Sequence, residues 1–119
     1  MFEVSCDVSK NRLYIKLEGM MSMEEAREYE KALYVCVSQM QEGYTLCFDM
    51  VNAQPGKLEV NNSLADIRAY MAEKKIKGTA MIVGNVLSKL QLTRLLKEIG
   101  GTFNVVQGYE DAEKYLDSI

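Results

Sequence analysis

Nine consecutive residues, Tyr44-Thr45-Leu46-Cys47-Phe48-Asp49-Met50-Val51-Asn52, constrain the fold more than any other stretch. They follow Gly43, stay apolar for most of their length, and include aromatic and β-branched side chains. A short run of this kind reads as a strand buried on both faces, the habit of a central parallel strand. The aspartate and asparagine lie toward its finishing end, where parallel sheets place their sites.

The residues on either side support a parallel sheet. Phe2, Val4, Cys6 and Val8 alternate with Glu3, Ser5 and Asp7, and after Ser9-Lys10-Asn11 the alternation resumes with Leu13, Ile15 and Leu17. Two period-2 runs around a polar turn predict a β-hairpin with one half-exposed face. Ser22-Met23-Glu24-Glu25 is a capping box, and Ala26, Tyr29, Leu33, Cys36, Val37 and Met40 form an apolar stripe behind it. That spacing predicts a first helix of about five turns, closed by Gly43. After the loop Ala53-Gln54-Pro55-Gly56-Lys57, a second helix is expected over 59–75, with Val60, Leu64, Ile67 and Met71 as its buried line. Thr79 to Val83 reads as another doubly buried strand. A third helix is expected over 86–99, burying Leu92, Leu95, Leu96 and Ile99. Thr102 to Val106 is the last strand, and a short helix runs from Tyr109 to about Leu116. The predicted order is β-β-α-β-α-β-α-β-α: one α/β domain with a mainly parallel five-stranded sheet and one antiparallel edge strand. If every crossover turns the same way, the helices gather on one face. The other face then needs a second copy of the chain or an unusual helix placement, so a homodimer is expected.

The totals exclude more than they specify. A chain of 119 residues is one domain's worth, and 48% hydrophobic with 26% charged is ordinary for a soluble protein. A net charge of -3 gives a nucleic-acid partner no electrostatic support. No apolar run reaches the roughly 18 residues of a membrane span, and Met1-Phe2-Glu3-Val4 opens no secretory signal. Cys6, Cys36 and Cys47 are odd in number and lack CxxC spacing, as expected of reduced, buried thiols in a cytoplasmic protein. Histidine is absent. That removes Ser-His and Cys-His nucleophile pairs, His-ligated zinc and histidine acid–base steps. No metal site and no cofactor is expected.

The elements in this order, with Asn11 to Ile15, Ser22 to Ala26, Phe48-Asp49-Met50, Val83-Gly84-Asn85, Gln91 with Arg94-Leu95, and Tyr109 to Ala112, resemble a STAS domain. The chain is similar in particular to the small stand-alone bacterial SpoIIAA-like proteins, whose fold is related to the CRAL-TRIO lipid-binding domains. The resemblance implies a SpoIIAA-like fold and a non-enzymatic regulatory domain that binds another protein. Antagonists of anti-sigma factors carry a phosphorylatable serine in an Asp-Ser-x-Gly stretch after the central strand. Here that region reads Leu58-Glu59-Val60-Asn61-Asn62-Ser63-Leu64, with neither the Asp-Ser pair nor the glycine. Ser63 is the hydroxyl in its neighbourhood and the candidate phosphosite.

The carboxyl ends of parallel strands gather ligands. Ser22, Asp49, Asn52, Asn61, Asn62, Ser63, Asn85 and Ser88 are therefore the expected polar rim, a partner or ligand site. In the alternative reading of the same residues they cap helices and brace loops. Met20, Met21 and Met50 form an apolar part of that rim. They suit a pocket for a small apolar or anionic ligand, or a partner groove; the commoner use of such methionines is as filler in a core. Asp49 as a general base is a third reading, without an identifiable partner acid.

Overall fold

The computed structural model describes residues 1–84, 93–94 and 96–119. Strands β1 (Phe2–Asp7), β2 (Arg12–Gly19), β3 (Thr45–Ala53), β4 (Gly78–Val83) and β5 (Thr102–Val106) form one sheet in the order β1-β2-β3-β4-β5. β1 runs antiparallel to β2, and every later pair is parallel. The Phe48 strand is thus the middle of the sheet. Phe48 faces Ile15 on one side and Met81 on the other.

Helix α1 (Met23–Ser38) begins as its capping residues dictate, with Ser22 Oγ accepting from the Glu25 amide at 3.1 Å. It stops five residues short of Gly43. The Gln41 amide donates to Asn11 Oδ1 at 2.8 Å, and Asn11 Nδ2 donates to the Gln41 carbonyl at 3.2 Å. The hairpin turn thereby holds the chain just after the helix, while Met40 still reaches the core, 3% exposed.

The expected second helix is two helices, α2 (Leu58–Ser63) and α3 (Ala65–Glu73), broken at Leu64. Neither glycine nor proline marks the break. The Ser63 hydroxyl donates to the Val60 carbonyl at 2.7 Å, the kind of back-bond that bends helices. Of the helix expected over 86–99, residues 93–94 and 96–99 are helical, and Leu96 and Ile99 are buried. Leu92 and Leu95 lie outside the described residues.

One face of the sheet (Leu13, Ile15, Leu46, Phe48, Met50, Met81) packs on α1, α3 and the 96–99 turn in a single apolar cluster. Tyr44 closes its lower end, fully buried, with its phenol donating to the Met71 carbonyl at 2.9 Å. The opposite face is covered by the last helix, α4 (Tyr109–Ser118), whose Ala112 and Leu116 pack on Cys47, Ala80 and Ile82. The cover that the one-handed crossovers demand is therefore the terminal helix itself. Gly78 makes room for it, because a Cβ there would collide with Ile119 Cδ1 and lie 2.8 Å from Thr102 Oγ1.

Candidate functional site

Beyond the carboxyl ends of β2 and β3, a cavity of about 540 Å³ opens between the start of α1, the loop after β3, and helices α2 and α3. Met21, Met50, Leu17, Ala53, Val60 and Leu64 give it an apolar wall. Asn61, Asn62, Gln54, Glu25, Arg68, Arg94 and Glu98 supply its polar side. Arg68 Nε donates to Glu98 Oε2 at 2.8 Å, and Arg94 has no ion-pair partner among the described residues. Asn61, Leu64 and Arg68 also border a smaller inner void of about 70 Å³ whose other walls are Ile15, Tyr29, Leu33, Phe48, Ile67, Met71, Leu96 and Ile99. Burial pushes the Tyr29 phenol well above the ordinary tyrosine range, so it stays protonated.

The fold brings four of the expected rim residues, Met21, Met50, Asn61 and Asn62, to one cavity. Met20 projects beside them, 50% exposed, without lining the cavity. Ser22 is exposed and engaged as the cap of α1. Asn52 is exposed near the end of β3, opposite Glu18. Ser63 is exposed at the α2–α3 break. Asn85 and Ser88 lie outside the described residues.

Asp49 is parted from this group. It sits on the opposite face of β3, 7% exposed, flanked by Lys16 and Ile82. β3 carries one extra residue between Asp49 and Asn52 relative to Lys16 and Glu18 of β2. Asp49 Oδ1 accepts from the Val51 amide at 3.1 Å within that bulge, and Oδ2 accepts from the Tyr109 phenol at 2.6 Å. Both carboxylate oxygens are thus occupied by structural partners, the bracing arrangement expected of an aspartate beside an irregular strand. Asp49 is correspondingly a poor candidate for a general base.

That bond is the first of a series along α4. Tyr109, Glu113 and Asp117 recur every four residues, so they lie on one side of the helix. Arg12, 4% exposed, donates from Nε to Thr45 Oγ1 at 3.0 Å, from Nη1 to Glu113 Oε2, and from Nη2 to Asp117 Oδ1 at 2.8 Å. Tyr14 donates to Glu113 Oε1 at 2.6 Å. Burial, then the bond to Glu113, raises the Tyr14 pKa to about 12. Burial alone would raise Glu113. The Tyr14 bond, the charge of Arg12 and the contact with Lys10 outweigh it and hold Glu113 below the ordinary carboxylate range. This cluster fastens a helix to a sheet.

Sequence reading missed Arg68, Glu98 and Leu58 as rim residues. Arg68 sits next to Ile67 in a helix whose other members explain its burial, and nothing in its spacing marks a mouth. Among the described residues no group of three or more His, Cys, Asp or Glu side chains could hold a metal ion. No helix among them is long and apolar enough to cross a membrane.

No protein-family model and no curated protein matches the chain. Several solved structures share its architecture, two of which are informative. One is an uncharacterized protein of the DUF3478 family from Shewanella loihica PV-4, described as having a SpoIIAA-like fold. It matches at a TM-score of 0.74 and 16% identity over 97% of this chain and 93% of that one. The other is an anti-sigma factor antagonist from Mycobacterium paratuberculosis, with a TM-score of 0.61 and 16% identity over 98% and 93%. The likeness is one of fold: the chain is an α/β protein with the SpoIIAA-like arrangement, as its resemblance to STAS domains implies.

Proposed function

We propose that this chain is a non-enzymatic, STAS-like regulatory domain of the cytoplasm that works by binding another protein at the carboxyl rim of its sheet. The observation that carries this reading is the rim's composition. Leu58 is 75% exposed and Met20 50% exposed, on the same rim as the exposed Asn52, Asn62 and Ser63. Large apolar side chains left in water among amides and hydroxyls suit a surface that a partner completes. The fold shared with a protein described as an anti-sigma factor antagonist supports a protein partner. Phosphorylation of Ser63 would modulate the same rim. The break at Leu64 puts Ser63 just ahead of the first free amides of α3, where an added phosphate is favoured, with Asp66 in that turn opposing it. The test is affinity capture from the native cell on wild type and on Leu58→Glu with Asn62→Arg. The partner should be retained at least tenfold less by the double variant, and equal retention would overturn the rim as the interface.

A second reading, a carrier or sensor of a small apolar or anionic ligand, is favoured by the cavity. Its methionine wall adapts to varied apolar shapes, and Arg94 at its edge suits an anionic head. Native mass spectrometry after incubation with a fatty acid should then give a one-to-one adduct that Met50→Arg abolishes. Protein that stays empty would remove this reading.

A further inference from the structure

β1 and α1 run in the same direction, since both oppose β2, and the Phe2 and Tyr29 rings fix their register with an edge-to-face contact at 5.5 Å. From that contact Cys6 lies four strand residues onward, about 13 Å, and Cys36 lies seven helical residues onward, about 10 Å. The two positions therefore arrive at nearly the same level. Both side chains pack against the same core cluster, and both are only partly buried. Cys47 is 1% exposed beneath α4 on the other face of the sheet, out of reach of either.

We propose that Cys6 and Cys36 are a modification site: they close into a reversible disulfide that staples the edge strand to the first helix. The oxidant is a low-molecular-weight disulfide of the oxidised-glutathione class, acting by thiol–disulfide exchange. The Cys6 thiolate attacks one sulfur of the oxidant, forms a mixed disulfide and releases one thiolate. The Cys36 sulfur, its proton passed to solvent, then attacks the Cys6 sulfur and releases the second. The protein gives up two electrons and two protons, and the oxidant leaves as two thiols. Burial, followed by the contact with Cys6, pushes the Cys36 thiol up to about 11, which suits the resolving rather than the attacking role. The closed loop contains the hairpin turn, β2 and the Met20–Glu25 entrance to the rim cavity. Oxidation thereby restrains the segment that leads into the site.

Reduced full-length protein is incubated with oxidised glutathione and read by intact mass and peptide mapping. The expected product has lost the mass of two hydrogens, joins the Cys6 and Cys36 peptides, leaves Cys47 alkylable only after unfolding, and reverts with dithiothreitol. Cys36→Ser should stop at a single glutathionyl adduct on Cys6, and Cys6→Ser should give no cross-link. A wild-type product that keeps its glutathionyl groups, a cross-link through Cys47, or no reaction under excess oxidant would each overturn the proposal.

Discussion

The Tyr109 phenol donates a 2.6 Å hydrogen bond to Asp49 Oδ2, tying the first residue of the last helix to the middle of the central strand. Sixty residues separate the pair in the chain. Burial, then that bond and the charge of Asp49, raise the Tyr109 phenol well above the ordinary tyrosine range. Tyr109→Phe removes the donor and keeps the ring. Because Tyr109 is 49% exposed, water can partly replace it at Asp49. A loss of about 1 kcal/mol is expected, read as a lower urea midpoint at unchanged slope.

Arg12 is the costlier deletion. Its guanidinium is buried and holds Thr45, Glu113 and Asp117 together. Arg12→Met keeps the apolar stem but takes the guanidinium from Glu113, which is 28% exposed and keeps only Tyr14 and Lys10 as partners. The expected loss is roughly 2–3 kcal/mol, below the range for fully buried pairs because Glu113 retains some water. Equilibrium unfolding measures it. Arg12→Lys should recover only part of it, since an ammonium cannot reach two carboxylates and a hydroxyl in one plane.

Stability should follow pH through the same cluster. The folded-state pKa of Glu113 is depressed, so its contribution is complete above the unfolded carboxylate value near 4.3 and is lost as pH falls through the folded value. Tyr14 behaves oppositely. Its folded pKa is raised to about 12, so its contribution is complete below about pH 10 and is lost as pH climbs through about 12. Denaturant unfolding at pH 7, 5 and 3 should lose stability at the acid end. Glu113→Gln should start lower and flatten that loss.

Gly100 and Gly101 both adopt positive φ, at 91° and 73°, but differ in what surrounds them. A Cβ on Gly100 meets nothing within 4 Å, whereas one on Gly101 would lie 2.8 Å from the carbonyl oxygens of Ile76 and Lys77. Gly100→Ala should cost about 1 kcal/mol, the left-handed backbone alone. Gly101→Ala should cost roughly 3 kcal/mol or more, because neither carbonyl can move without disturbing the entry to β4. Thermal unfolding of the two variants side by side checks the order.

The sheet was legible in the sequence because the two arms of hairpin 2–17 alternate and the two inner strands are mostly apolar runs. The same apolar continuity hid the facing of Asp49. In a doubly buried strand the alternation that assigns faces is invisible, so the sequence alone groups Asp49 with Met50, although adjacent residues point oppositely. The α2–α3 break rests on a hydroxyl back-bond at Ser63 rather than on a helix-breaking residue. Tyr109, Glu113 and Asp117 stand at visible four-residue spacing, yet their meaning comes from Arg12 and Asp49, which only the folded sheet brings beneath them. Of the expected rim, Met21, Met50, Asn61 and Asn62 line one cavity. Strand ends and the helix after the central strand meet at one edge in any parallel sheet of this order.

Partner recognition is proposed to occur at this rim and not on the face covered by α4. A photo-crosslinking residue at position 62, on the rim, is compared in the native cell with one at position 114, on α4, where Lys114 is 73% exposed. One discrete protein adduct is expected from position 62 and none from position 114. An adduct from position 114, with position 62 silent, would contradict it.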